Sequence, residues 1–348
     1  MAEIGLVLQG GGARGAYQIG VWRAMNEFCI TPHISGVSGA SVGALNGALF
    51  AIGDYEKARN IWENISPEQV FRKNFRLIGN VINFLDKIEA VPKTAEDDAS
   101  VNTPLYIVPV VESLIKNLTA PEENPDANGL HDLILNNVDF NALRSFRGNV
   151  YAMCTPLNII DLLKDGPKAF DLTKKSNSEI LNILMASSAL PFIFENVDID
   201  GTRYIDGGIK YLGNNVPVKP LYDDGIRRFI VIYISDEKLR KKEMIDPEDY
   251  SDAEITSIIP GKNTEKLLEK PTSLLRFEKD YAKALIECGY CDAVSQLEPM
   301  CELGYSTENY FPVLKECRAD EDKFFRKHIM NALPDDTASI ILNYLRQI

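Results

Sequence analysis

A serine between two glycines is the residue of this chain best suited to nucleophilic chemistry. Gly39, Ser41 and Gly43 spell G-x-S-x-G, after an apolar run and before an alanine-rich segment. On a strand-to-helix turn this spacing is typical of a nucleophile elbow, in which the serine attacks an acyl carbonyl. The pattern also occurs by chance in structural turns, but its place between an expected strand and an expected helix favours the nucleophile.

A glycine run lies upstream of this serine, directly after the apolar stretch 4–8. The segment GGGARG at 10–15 includes Gly10, Gly11, Gly12 and Arg14. Backbone N–H groups of such a run can hold the oxyanion of an acyl-transfer reaction, and Arg14 adds either charge or a structural tether. The run also fits the dinucleotide fingerprint G-x-G-x-x-G. A nucleotide site would need an acidic residue at the end of the second strand, and 36–39 contains none.

A serine nucleophile needs a base within hydrogen-bonding reach. In a serine triad the base is histidine, and the chain has three, none in a catalytic sequence context: His33, His131 and His328. A Ser-His-Asp triad is therefore disfavoured. The remaining candidate base is Asp206, which ends an expected strand and is followed by Gly207 and Gly208.

These segments resemble the patatin-like phospholipase family. Four motifs match in order: GGGARG at 10–15, GASVG at 39–43, ASSALP at 186–191 and DGG at 206–208. The resemblance extends over roughly residues 4–235 and is weakest over 66–130. Gln9 departs from the family, which often has an acidic or small residue at that position.

The resemblance implies a three-layer α/β/α fold with a central, mostly parallel sheet. It also implies a Ser41–Asp206 dyad in place of a triad, with the oxyanion hole formed by 10–12 and Arg14. The expected activity is hydrolysis of carboxylic esters in phospholipids or related acyl lipids. The dyad requires no metal or other cofactor.

Hydrophobic patterning predicts the elements that position these residues. Apolar, β-branched runs predict strands at 4–8, 33–38, 148–154, 169–172, 196–199, 202–205 and 228–235. The pair Asp200-Gly201 predicts a hairpin turn. Helical spacing predicts helices over 16–28, after Ser41, and over 179–189. Strands alternating with helices indicate an α/β domain.

Two regions lie outside this alternation. A helical insertion is expected at about 66–130, with an amphipathic helix within 66–90 and another helix at 106–118; it is interpreted as core packing, a lid or an interfacial surface. We expect a catalytic domain over 1–237. A mostly helical region, 238–348, would pack on that domain or extend it.

Composition limits the partners and the compartment. A net charge of −13 disfavours binding to nucleic acid and attraction to anionic lipid, so membrane contact would be transient and apolar.

Residues 1–9 resemble a first strand rather than a signal peptide, and six cysteines are few for an oxidised protein of this length. Cys288 and Cys291 lack the second close pair that a zinc site usually brings. These features predict a cytoplasmic protein and give no indication of oligomeric state.

Two alternatives stay open. The same dyad could serve a non-lipid esterase, a thioesterase or an acyltransferase. A catalytically idle scaffold that binds acyl chains or a protein partner is the second alternative, although an idle chain has no physical reason to keep the serine, the aspartate and the glycine run together.

Overall fold

The computed structural model describes residues 3–71, 129–190, 193–209 and 213–302. The helix predicted at 106–118, most of the amphipathic helix predicted within 66–90, Pro191, and the chain after 302, including His328, lie outside the described residues. Of the predicted insertion, only its two ends are described.

Eight described strands form one sheet, and each predicted strand is present within about two residues of its predicted ends. Their bounds are β1 Ile4–Leu8, β2 Ile34–Ala40, β3 Asn149–Pro156, β4 Lys168–Asp171, β5 Val197–Ile199, β6 Thr202–Asp206, β7 Arg228–Ile232 and β8 Glu254–Ile258. The exceptions are β7, which ends three residues before the prediction, and β8, which was not predicted. The β5–β6 hairpin is confirmed, and its turn residues Asp200 and Gly201 both have positive φ.

The described helices connect and cover these strands. They are α1 Ala16–Glu27, α2 Val42–Ile52, α3 Tyr55–Glu63, α4 Pro67–Phe71, α5 Gly129–Asn137, α6 Phe140–Arg144, α7 Ile159–Asp165, α8 Asn177–Ser187, α9 Lys219–Asp223, α10 Glu237–Glu243, α11 Lys262–Leu268 and α12 Lys279–Glu302. The start of α8 is fixed by a capping box, because Ser176 and Glu179 each bond to the other's backbone N–H.

The centre of the sheet is parallel and one side is antiparallel. Strand β1 pairs in parallel with β2 and β7, β2 with β3, and β7 with β8. Strands β4 and β6 pair antiparallel with β3, and β5 with β6. The result is the mixed, mostly parallel sheet of a three-layer α/β fold.

Both faces of the sheet are buried, as expected when helices cover both faces of a parallel sheet. Leu6 and Leu8 belong to the larger core cluster, which includes side chains from α1, α2, α8 and α12. Val7 points to the opposite face and belongs to a second cluster that contains Leu221 of α9. This alternation within β1 explains why the strand is a continuous apolar run in the sequence.

The region after 237 contains more than helices. Strand β8 pairs with β7 at the edge of the sheet; its side chains are exposed at Glu254, buried at Ile258 and partly buried between them. Its weak apolar pattern explains why the sequence did not predict it. Helix α12 packs against α1, where the Tyr290 hydroxyl donates to Glu27 at 2.6 Å and the Arg23 guanidinium lies 4.1 Å from the Tyr290 ring centroid. The division into domains at 237 stays a prediction.

Candidate active site

Ser41 occupies the sharp turn between β2 and α2. Its φ of 53° and ψ of −127° lie outside the regions that non-glycine residues ordinarily adopt. The flanking glycines allow this turn, because a Cβ on Gly39 would lie 2.3 Å from the Gly43 carbonyl carbon and one on Gly43 would lie 2.2 Å from the Leu8 oxygen. The backbone therefore has the form of a nucleophile elbow, and its strain persists because neighbouring chain segments hold it.

Asp206 ends β6 close to this turn. Its Oδ1 accepts the Gly208 N–H at 2.7 Å, and its backbone oxygen accepts the Thr155 hydroxyl at 2.9 Å. The Gly207 N–H donates to the Ser187 carbonyl at 3.1 Å. These bonds fix both the carboxylate and the turn that follows it.

Ser41 and Asp206 contact each other directly. The Ser41 hydroxyl donates to Asp206 Oδ2 at 2.5 Å, and both residues are buried. Burial raises the pKa of Asp206 to about 7, while the hydrogen bonds from Ser41 and Gly208 act to lower it. A carboxyl with this pKa can exchange protons near neutral pH, whereas an ordinary aspartate with a pKa of about 3.9 would be a weak base.

The two described histidines are not at this site. His33 precedes β2 and Ser41 follows it, so the seven-residue strand separates them by about 23 Å at ~3.3 Å per residue. His131, on α5, has its Nδ1 3.2 Å from Asp132 Oδ1. The hydroxyl of Ser41 is therefore paired with a carboxylate.

The glycine run passes beside Ser41 and begins a short 3₁₀ helix at Gly12. Gly10 is engaged elsewhere, since its N–H donates to the Asn215 side chain at 3.1 Å and also lies 3.3 Å from the Asn215 carbonyl. The N–H groups of Gly11 and Gly12 come at the start of the 3₁₀ helix, where no intrahelical acceptor exists. Gly12 and Ser41 line the same pocket.

The guanidinium of Arg14 points into the protein. Its Nε donates to Ser273 Oγ at 2.8 Å and its Nη2 donates to the Leu268 carbonyl at 2.6 Å, with Asp236 at 4.0 Å. These contacts connect the glycine run to the end of α11 and to the segment that follows it. They are the contacts of a structural tether.

A polar network behind the glycine run was not predicted from the sequence. Glu243 accepts from the Gln9 amide at 2.6 Å and from the Asn215 amide at 3.1 Å. Gln9 also accepts the N–H groups of Ile234 and Ser235 at 2.6 and 3.1 Å. Gln9, the departure from the family pattern, is thus a bridge from β1 to the end of β7. Asn215 could have been noticed only from its proximity to the Asp-Gly-Gly motif.

The serines of the ASSALP motif were also not predicted as site residues. Ser187 Oγ accepts the backbone N–H of Ser41 at 3.1 Å, and the Ala189 carbonyl accepts the N–H of Asp206 at 3.1 Å. The motif itself was the available signal, because its residues bond to the backbones of both Ser41 and Asp206.

An apolar pocket with a volume of about 90 Å³ opens beside Ser41. One stripe of α2 supplies Val42, Leu45 and Leu49, at the spacing of one helix face. Helices α3, α4 and α5 supply further walls, and their lining residues include Trp62, Phe71, Leu130 and Ile134. A pocket with this apolar lining suits a hydrocarbon chain.

The described residues contain no group of three or more His, Cys, Asp or Glu side chains placed to hold a metal ion. None of the described helices has both the length and the low charge needed to cross a bilayer.

Comparison with solved structures gives low similarity over long stretches. Against VipD from Legionella pneumophila the TM-score is 0.45 and the identity 16%, covering 100% of this chain and 79% of that one. Against human GIVD cytosolic phospholipase A2, in complex with methyl gamma-linolenyl fluorophosphonate, the values are 0.41 and 11%, covering 90% and 59%.

Curated relatives match more closely, but over a short stretch. Lysophospholipase nte1 of Aspergillus terreus is 56% identical over 49 residues, and Lysophospholipase NTE1 of Chaetomium globosum is 58% identical over 49. Each match covers 14% of this chain, and only 3% of the curated relative's length is spanned.

A family model extends over most of the described core. The model for patatin-like phospholipase matches residues 6–222, which contain the glycine run, the elbow and the Asp-Gly-Gly turn. The chain belongs to the patatin-like phospholipase family.

Proposed function

We propose that this protein is a serine acyl hydrolase that cleaves carboxylic esters of phospholipids or related acyl lipids through an acyl-serine intermediate. The observation that carries the proposal is the 2.5 Å hydrogen bond from Ser41 to the buried carboxylate of Asp206, beside an apolar pocket. Family membership supports an ester of a lipid as the substrate.

In the acylation step, Ser41 Oγ attacks the ester carbonyl and its proton passes to Asp206. The tetrahedral intermediate collapses when its bond to the alcohol oxygen breaks, and Asp206 returns the proton to that oxygen. The pKa of about 7 supports both transfers, because the carboxyl accepts and releases a proton near neutral pH.

The negative charge on the intermediate needs donors beside Ser41. We assign this role to the N–H groups of Gly11 and Gly12, since Gly10 already donates to Asn215 and the Arg14 guanidinium is held by Ser273 and Leu268. One such donor typically contributes about 2.7–4 kcal/mol to the transition state.

In the deacylation step, water attacks the acyl-Ser41 carbonyl and gives its proton to Asp206. The bond between Ser41 Oγ and the acyl carbon then breaks, and the proton returns to Ser41. The reaction regenerates the dyad without a metal or cofactor.

The pocket supports an acyl lipid rather than a small polar ester as the substrate. Its lining is mostly aliphatic and aromatic and begins at Ser41, so an acyl chain would be buried while its ester faces the dyad. Burial of hydrocarbon contributes roughly 0.8 kcal/mol per methylene group. We propose transient contact with a lipid surface during substrate uptake and, since Cys29, Cys154 and Cys288 are free thiols, a cytoplasmic location.

A fluorophosphonate probe tests the activated serine directly, because it phosphonylates serine hydroxyls that an adjacent base activates. Wild type should be labelled stoichiometrically, Ser41→Ala should not be labelled, and Asp206→Asn should be labelled far more slowly. Ser145→Ala is the matched control, because Ser145 is an exposed serine that donates to its own helix at Asn141. A folded wild-type protein that resists the probe would favour the idle scaffold.

A substrate panel then distinguishes the remaining alternatives. Phospholipids, short-chain esters and thioesters should be compared with and without an added acceptor alcohol. Free fatty acid as the main product of phospholipid supports the proposed hydrolase, whereas preferential formation of a new ester would identify an acyltransferase.

A further inference from the structure

The hydroxyl of Ser188 is buried and has no use in the fold. The residue is only 5% exposed, and its Oγ forms no hydrogen bond in the described structure. A buried hydroxyl without a partner costs roughly 1–3 kcal/mol. Such a group is uncommon enough in folded proteins to need an explanation.

Ser188 lies between two residues that contact the dyad. Its predecessor Ser187 accepts the Ser41 N–H at 3.1 Å, and its successor Ala189 accepts the Asp206 N–H at 3.1 Å. Ser188 also lines the pocket that contains Ser41. Its position next to the reacting groups is therefore fixed by bonds on both sides.

Other polar side chains of this pocket already have partners. Ser41 is bonded to Asp206. The amide of Asn46 bonds to two neighbouring side chains and a backbone carbonyl, and the Asn137 amide nitrogen donates within its own helix. Among the described polar side chains that line this pocket, Ser188 is thus the one that forms no hydrogen bond.

We propose that the Ser188 hydroxyl contacts the substrate at the alcohol oxygen of the ester, and contacts the hydrolytic water that replaces this oxygen after acylation. This inference rests on the proposed hydrolysis at Ser41. An ester has two oxygens, and in the proposed mechanism the carbonyl oxygen accepts hydrogen bonds from the N–H groups of the glycine run. The acyl chain takes no hydrogen bonds, so the alcohol oxygen is the polar group left for Ser188.

The same position serves both half-reactions. Asp206 protonates the alcohol oxygen as the ester bond breaks, and it deprotonates the water as the new bond to the acyl carbon forms. Both oxygens must therefore lie within reach of one carboxyl. A hydroxyl that lines the same pocket as Ser41 can donate to the alcohol oxygen in the first half-reaction and accept from the water in the second.

Hydrolysis of a p-nitrophenyl ester separates the two half-reactions, because p-nitrophenolate leaves without help from a hydrogen bond. In Ser188→Ala, acylation should stay close to the wild-type rate and deacylation should slow by about tenfold, the equivalent of one hydrogen bond. The variant should show a burst of nearly one p-nitrophenol per protein molecule, followed by slow turnover. Ser188→Thr, which keeps the hydroxyl, should restore most of the turnover.

Thermal unfolding provides a second measurement. Since the hydroxyl has no partner in the described fold, Ser188→Ala should be as stable as the wild type or more stable, and Ser145→Ala should change neither stability nor the burst. Wild-type kinetics combined with a lower Tm in Ser188→Ala would overturn the inference and make the hydroxyl structural. If the wild type neither reacts with a fluorophosphonate nor hydrolyses esters, both the proposed function and this inference fail. If the wild type turns over normally and Ser188→Ala shows no burst, only this inference fails.

Discussion

Ala40 and Asp206 lie side by side because they pair with consecutive residues of the same strand. Ala40 pairs with Met153, and Asp206 pairs with Cys154. Strand β4 occupies the opposite edge of β3 at both positions, so β2 and β6 meet end to end along one edge. Ser41, the residue after Ala40, is thereby brought to Asp206 from 165 positions away in the sequence.

This arrangement places a strained serine and a buried carboxyl at one point of the sheet, and both features oppose stability. A carboxylate without a cationic partner is costly to bury. Here its hydrogen bonds come from the Ser41 hydroxyl and the Gly208 N–H. The cost of keeping Asp206 ionised should therefore be measurable as a dependence of stability on pH.

Asp206→Asn should become more stable relative to the wild type as the pH rises. The folded pKa of Asp206 is about 7, above the unfolded value of about 3.9, so the folded wild type binds more protons between these two values. The contribution of Asp206 to the free energy of unfolding of the wild type therefore decreases by roughly 4 kcal/mol between about pH 4 and pH 7. Above pH 7 this contribution is constant. Asn does not titrate. Denaturant unfolding of both proteins at pH 4, 5.5, 7 and 8.5 checks this, and a difference that does not change with pH contradicts it.

The rate of reaction at Ser41 should depend on the same ionisation. Only the carboxylate form of Asp206 can accept the serine proton, so kcat/KM should fall about tenfold per pH unit below the pKa of about 7. Above about pH 8 the rate should be constant. The measurement uses a soluble ester that does not ionise between pH 5 and 9, with Tm followed in parallel. A kcat/KM that is constant down to pH 5 would mean that the Ser41 proton does not pass to a carboxyl with this raised pKa, because kcat/KM reports the ionisation of the free enzyme.

The sequence predicts most of the sheet from local apolar patterns, and it predicts the pairing of Ser41 with Asp206 from the resemblance of its motifs to a family. The Gly39 and Gly43 positions indicate a tight turn, and the Asp200-Gly201 pair indicates a hairpin. The strand β8 escapes prediction because an edge strand buries few side chains and so lacks a continuous apolar run. The hydrogen bond that engages the Gly10 N–H could not be predicted in this way, because its acceptor, Asn215, lies far along the chain.

Arg14 shows a second limit of local reasoning. A cation within a glycine run is compatible with a site for negative charge and with a tether, and the sequence does not distinguish them. The choice depends on Leu268 and Ser273, whose acceptors reach the guanidinium only through the packing of the segment after α11. Similarly, nothing local indicates that the serines of ASSALP lie between Ser41 and Asp206.

Arg14→Ala should lower stability and turnover together. Its removal deletes two buried hydrogen bonds, while the Ser273 hydroxyl still donates to the Leu268 carbonyl at 3.1 Å. We expect a loss of about 1–3 kcal/mol in the free energy of unfolding. The glycine run then loses its tether, so fluorophosphonate labelling and kcat should fall while KM changes little. Arg23→Ala is the matched control, because Arg23 is only partly buried and lies at the α1–α12 contact. A large loss of kcat with unchanged Tm would instead indicate direct charge stabilisation by Arg14.

Gly43→Ala should prevent formation of the elbow. The added Cβ would lie 2.2 Å from the Leu8 oxygen and 2.9 Å or less from neighbouring backbone atoms, which cannot move without displacing β1. We expect loss of labelling at Ser41 and a lower Tm. Gly47→Ala on the same helix is the control: its nearest neighbour is a Val37 side-chain atom at 3.1 Å, and alanine is about 1 kcal/mol more favourable than glycine within a helix. Labelling of Gly43→Ala at the wild-type rate would show that the turn does not determine the reactivity of Ser41.

Leu49→Trp should shorten the pocket without affecting the dyad. Leu49 lines the pocket on α2 seven residues after Val42, which is about 10 Å along the helix at 1.5 Å per residue. An indole there should exclude the distal part of a long acyl chain, so kcat/KM for a long-chain ester should fall at least about tenfold, a loss of roughly two methylene contacts. A butyrate ester, whose acyl group ends near Ser41, should react at close to the wild-type rate. Leu49→Met, which conserves volume, should leave kcat/KM unchanged for both esters.

Two outcomes of Leu49→Trp would contradict this prediction. Equal losses of kcat/KM for long and short chains would mean that the substitution perturbs Ser41. An unchanged kcat/KM for the long-chain ester would show that the acyl chain lies outside this pocket.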